Sequence, residues 1–121
     1  MTARATGDRG SATVWVMALS AVLAVVGAAV VLVGAATVAR HRAEAAADLA
    51  ALAAAGRAAA GDPGACGLAE EVTQANAATL VSCSVGTDAI VELRVSVPVH
   101  LGRLGTWAAK ARARAGPVPP D

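Results

Sequence analysis

The chain has 121 residues, a formal net charge of +1, 56% hydrophobic residues and no Phe or Tyr. So small a net charge excludes a global field that would drive nucleic-acid binding. Half of the apolar stock is alanine, with Trp15 and Trp107 as the two aromatics, which argues against a large core and a deep substrate cleft.

Residues 1–10 (MTARATGDRG) are small and polar and predict an irregular leader. Residues 11–39 contain no Asp, Glu, Lys, Arg or His. As a helix this stretch is roughly 43 Å long, more than a hydrocarbon core of about 30 Å requires. A retained anchor and a cleaved secretory signal compete for it. Arg4 and Arg9 supply the basic start of a signal, and Thr37–Val38–Ala39 is small enough for a signal peptidase. A signal's apolar region is about 7–15 residues, however, and this one is far longer, which favours the anchor. Arg4 and Arg9 precede the span and Arg40 and Arg42 follow it, so the positive-inside rule gives no clean orientation. Within the span Ala24, Gly27, Val31, Gly34 and Val38 recur at heptad-like spacing. Gly27 and Gly34 on one face would let another helix approach closely, although alanine-rich spans also show such stripes by chance.

Residues 40–60 are mostly Ala, Leu, Glu and Arg without Pro, so the helix continues past the span. Arg40 and Glu44 stand at i and i+4, and Leu49 and Leu52 occupy another face. Gly61–Asp62–Pro63–Gly64 is a stop signal. A shorter amphipathic helix is expected over about residues 67–79, with Leu68, Val72, Ala75 and Thr79 on one face and Glu70, Glu71 and Gln74 on the other. Then the period changes to two. Val81, Cys83 and Val85 alternate with serines, Gly86–Thr87–Asp88 can turn, and Val91, Leu93, Val95, Val97 and Val99 alternate with Glu92, Arg94, Ser96 and Pro98. This predicts a hairpin with one buried face, Cys83 on that face and Pro98 in an edge position. Lys110, Arg112 and Arg114 alternate with Ala, which favours a third strand with a basic outer face over a helix. From Gly116 a Pro-rich tail follows.

Cys66 and Cys83 are too far apart for a redox CxxC and lack companions for a zinc site. Two readings remain: a disulfide, which would place this half outside the cytoplasm, or two separate reduced thiols. His41 and His100 are isolated from each other and from the cysteines, so no metal cluster is expected. Gly61, Gly64 and Gly67 follow no strand and suit a helix terminator better than a phosphate cradle. Glu70 and Glu71 diverge by about 100° on a helix rather than converging as an acid/base pair. No nucleophile and base are paired. The basic alternation near the C-terminus could touch phosphate or acidic lipid, but it lacks interleaved aromatics and reads better as a solvated strand face. The residues predict no enzyme, no cofactor, no metal, no nucleic-acid partner and no small-molecule substrate.

Residues 9–19 read RGSATVWVMAL, with Arg-Gly opening the apolar segment, and residues 40–55 read RHRAEAAADLAALAAA. Both junctions resemble TadE-like and TadG-like proteins of the tight-adherence (Flp) pilus system. The Cys66, Ala75–Asn76 and Cys83 arrangement, the valine-rich strands and the Ala-Arg-Ala-Arg-Ala-Gly-Pro ending are similar to a short actinobacterial branch of TadE-like proteins. The resemblance implies a small single-pass membrane protein grouped with pilus and secretion components, and makes Gly10–Ser11 a candidate prepilin-peptidase site. Cleavage there would leave Trp15 at the fifth mature position, where pilins carry Glu. That departure favours an accessory or minor role over a repeating subunit.

The expected architecture is α+β and pilin-like. A polar leader (1–10), a transmembrane helix (11–39) and a helical extension (40–60) precede a small extracytoplasmic cap (61–121) of one short helix and a 2–3-stranded antiparallel sheet, ending in an irregular tail. The expected function is a non-enzymatic accessory or minor pilin-like component of a Tad pilus or related secretion apparatus. Its N-terminus would be cytoplasmic, and its partners would be the membrane and other pilus or secretion subunits met through the transmembrane helix. The alternatives are a secreted binding or effector protein released near Ala39, and a regulator of a membrane complex with its C-terminus in the cytoplasm.

Overall fold

A computed structural model describes the backbone of residues 2–120, with side chains from Gly10 to Pro120. In chain order the elements are α1 (Thr2–Ala59), α2 (Ala65–Ala75), β1 (Thr79–Val85), β2 (Val91–His100), a 3-10 turn (Gly102–Leu104) and β3 (Thr106–Ala115). The fold class is α+β, and the sheet is antiparallel with order β1-β2-β3. α1 begins at Thr2, ahead of the expected start at residue 11. The leader contains no proline, so nothing in it breaks a helix propagating back from the apolar stretch.

The chain divides into two units, one up to Gly34 and one from Ala35 onward. In the first, every described residue from Gly10 is exposed, including Val14, Trp15, Leu19, Leu23 and Val30. Apolar residues on all sides of a helix are what a hydrocarbon solvent selects. Among the described residues one helix is long and apolar enough to cross a membrane.

In the second unit a single core joins the rest of α1, α2 and the sheet. α1 contributes only alanines: Ala39, Ala43, Ala46, Ala47, Ala50, Ala51, Ala54 and Ala55. Their spacings of three and four residues make one stripe along a helix. The bulk comes from the sheet, where Leu93, Val91 and Val95 are among the largest fully buried side chains. Leu49 and Leu52 lie on the opposite side of α1 and are exposed.

α1 ends in a Schellman motif. Gly61 takes a positive φ of 77°, its N–H donates to the Ala58 carbonyl (3.0 Å), and the Asp62 N–H donates to the Arg57 carbonyl (3.1 Å). Asp62 then accepts from the Gly64 N–H through Oδ1 (2.7 Å), which shapes the turn into α2.

α2 is shorter than the expected helix, and its buried face is Ala65, Ala69 and Thr73. It stops because Asn76 caps it and Ala77 turns left-handed at φ 55°, with the Ala78 N–H donating to the Thr73 carbonyl (2.9 Å). Thr79 therefore opens β1 instead of closing the helix face.

β1 departs from simple alternation. Leu80 pairs with Val95 and Ser82 with Arg94, leaving Val81 as a bulge. Leu80 and Cys83 are the half-buried positions, while Val81 and Val85 are exposed. β2 alternates as expected, with Val91, Leu93, Val95, Val97 and Val99 buried. It is the central strand, not an edge. Pro98 is tolerated because β1 pairing ends at Thr79↔Ser96, two residues short of it.

Candidate interaction surfaces

The second unit is tied by one covalent link. Cys66 in the first turn of α2 is bonded to Cys83 of β1, with S–S 2.08 Å and Cα–Cα 5.9 Å. The bulge makes this possible: it shifts the register so that Cys83 faces Leu93 on the inner side, where α2 packs. Thr73 is fully buried, and its Oγ1 donates to the Glu70 carbonyl at 2.8 Å.

The helical junction carries charges that pair along α1. Arg40 Nε lies 3.1 Å from Glu44 Oε1, and His41 Nδ1 lies 3.7 Å from Glu44 Oε2. At the other end Arg57 Nε stands 3.7 Å from Asp62 Oδ2. These groups are exposed, so each pair contributes little to stability.

The outer sheet face is cationic. Register places Arg94 opposite Arg112, Ser96 opposite Lys110 and Glu92 opposite Arg114. Like charges directly across a sheet are unfavourable, so Arg94 and Arg112 repel at this spacing. Arg94, Lys110, Arg112 and the bulged Val81 line a shallow cavity of about 410 Å³. The alternation of Lys110, Arg112 and Arg114 was legible in sequence, whereas the addition of Arg94 was not. The tight turn after Leu101, which sets the β2–β3 register, is the signal that could have found it.

The remaining candidates fall as follows. Gly10 and Ser11 lie within α1 and are exposed. Gly27 and Gly34 are likewise exposed, and a Cβ added at either meets nothing within 4 Å, so both leave open backbone for a neighbouring helix. Thr37–Val38–Ala39 is helical, and Ala39 is buried in the core of the second unit. His41 and His100 stand on different elements, and no group of three His, Cys, Asp or Glu gathers as a metal site among the described residues.

Residues 10–60 match the family described as putative Flp pilus-assembly TadE/G-like. The chain matches no curated protein and no solved structure.

Proposed function

We propose that the chain, whose residues 10–60 match the family described as putative Flp pilus-assembly TadE/G-like, is a non-enzymatic accessory or minor pilin-like component of a Tad pilus or related secretion apparatus. The observation that carries this reading is the use made of α1. From Gly10 to Val38 it is exposed on every side, and the alanine stripe that begins at Ala39 is the wall of a small disulfide-bonded core. One helix thus serves as both anchor and scaffold, which is economical for displaying a cap.

In this reading the N-terminus is cytoplasmic and the cap extracytoplasmic, where the Cys66–Cys83 bond persists. Gly27 and Gly34 form the packing face for partner helices, and Leu49 and Leu52 extend an apolar contact outside the span. Gly10–Ser11 is the candidate cleavage site, with Trp15 in place of the pilin Glu.

The test is the intact mass of the protein from its host's membranes and medium, with and without thiol alkylation. A membrane-bound species starting at Met1, Thr2 or Ser11, with both thiols protected until reduction, is expected. A soluble species starting near Arg40 would replace the anchor with secretion. Free thiols in native membranes would instead favour a cytoplasmic cap. The Gly27→Leu and Gly34→Leu variants are expected to lose crosslinks to partner subunits while staying in the membrane; undiminished crosslinking would remove the glycine face from the interface.

A further inference from the structure

The β2–β3 connection is tight and carries conspicuous side chains. The Leu101 N–H donates to the Gly105 carbonyl at 3.0 Å, and Gly102 and Gly105 take positive φ values of 60° and 94°. The turn leaves Leu104 67% exposed, and Trp107 beside it is 70% exposed. Trp107 has the parity of the inward row Ala109, Ala111, Ala113 and Ala115, yet it is exposed and does not belong to the core.

Topology fixes which end of the cap this tip occupies. Cys66 follows closely on the end of α1, and it is bonded to Cys83 near the end of β1. The β1–β2 turn therefore stands at the C-terminal end of α1. β2 runs away from that turn, past the last β1 pair at Ser96, to the tip. The alanine stripe Ala39–Ala55 spans about 24 Å, and the facing row Val91–Val99 about 26 Å. The two rows share one core, and β2 runs away from the C-terminal end of α1, which directs the tip toward the Ala39 end of the stripe.

The chemistry at this level matches a bilayer interface. Arg40, His41 and Arg42 follow the apolar stretch in sequence, and His100 and Arg103 flank the tip. No acid occurs between Glu92 and Asp121. Trp prefers the headgroup zone, where its ring is half in hydrocarbon and its N–H finds a partner. The chain's two aromatics, Trp15 and Trp107, are both exposed; Trp15 stands near the start of the charge-free stretch.

We propose that the β2–β3 tip is a second membrane contact, in which Trp107 and Leu104 enter the interfacial layer of the bilayer and Arg103 meets lipid phosphates. This rests on the reading of residues 11–39 as a membrane span. The tip then holds the cap down on the lipid surface and fixes which face of its sheet is turned to a partner.

The two tryptophans separate this inference from the one beneath it. Full-length W15F, with Trp107 alone, and W107F, with Trp15 alone, are reconstituted in phosphatidylcholine–phosphatidylglycerol vesicles. Each is measured with lipids brominated near the headgroup end or deep in the chain, and with aqueous iodide. Trp107 is expected to lose about half its emission to the shallow bromines, less to the deep ones, and to resist iodide. Trp15 quenched by bromines while Trp107 is not, with Trp107 open to iodide, would leave the anchor standing and overturn the tip contact. Trp107 shielded from iodide yet untouched by bromines would overturn it in favour of a protein partner. Neither tryptophan quenched would remove the span and the tip contact together.

Discussion

Ala77 occupies a backbone position that costs an L-residue energy. Its φ of 55° is left-handed, and it stands where Gly61 stands in the equivalent motif closing α1. Both sites use the same pair of hydrogen bonds, from the residue itself and from the one after it, back onto the last turn. Gly at Ala77 relieves the contact between Cβ and the carbonyl oxygen. Ala77→Gly is therefore expected to stabilise the cap by about 0.5–1 kcal/mol, and Gly61→Ala to destabilise it by about 1 kcal/mol. Thermal melting in detergent micelles, followed by circular dichroism, reads both. Equal melting temperatures for Ala77→Gly and the parent chain would mean that the left-handed turn is not strained as described. A Cβ at Gly116 would come within 2.8 Å of Ile90 Cγ1, so this glycine is needed for the close passage of the tail rather than for its dihedral freedom.

At the scale of elements, α1 has two working faces that sequence hydrophobicity ranks in the wrong order. Leu49 and Leu52 are the larger apolar groups beyond the span, yet they are exposed at 51% and 65%. The core is built on alanines because the sheet supplies the volume. Leu93, Val91 and Val95 fill the space that a leucine-bearing helix would need. Ala50→Leu inserts three carbons into a fully buried site and is expected to destabilise the cap by about 1–3 kcal/mol. Leu52→Ala is expected to change stability by no more than about 0.5 kcal/mol. Urea titration in micelles compares them, and a larger loss for Leu52→Ala would reverse the assignment of faces. The strands were easier to read. Alternation from Val91 to Val99 marks a half-buried strand directly, and the lysine and arginines of β3 mark its solvent side as clearly. The bulge at Val81 left no trace, because Val81, Cys83 and Val85 form a perfect alternating row whose register is decided by β2. The end of α2 was also hidden, since Ala77 gives no glycine signal where the chain turns. The cationic face was half visible for a related reason: Lys110, Arg112 and Arg114 share one strand, while Arg94 joins them only through cross-strand register.

At the scale of the whole molecule, the disulfide and the sheet hold different parts of the cap. β2 and β3 pair over ten residues, from Val91↔Ala115 to His100↔Thr106, without covalent help. α2 reaches the sheet through β1, whose pairing is shorter and interrupted by the bulge. Its buried face is two alanines and a threonine, which bury little apolar area. The Cys66–Cys83 bond closes a loop across a sequence separation of 17 through this weakest part of the core. In the chain-entropy picture it contributes about 3 kcal/mol. The double variant Cys66→Ser, Cys83→Ser should therefore not melt the cap evenly. Amide hydrogen exchange in micelles is expected to quicken first in α2 and β1, by a factor of about a hundred for a loss of that size, while the β2–β3 ladder and the alanine face of α1 keep their protection. If β2 and β3 lost protection in step with α2, the cap would be one cooperative unit whose stability the bond supports throughout. Uneven loss would make the sheet the permanent frame and α2 a clasp that depends on an oxidising compartment. The same clasp holds the β1–β2 turn at the far end of α1, so its opening would also loosen the placement of the Trp107 tip at the other end.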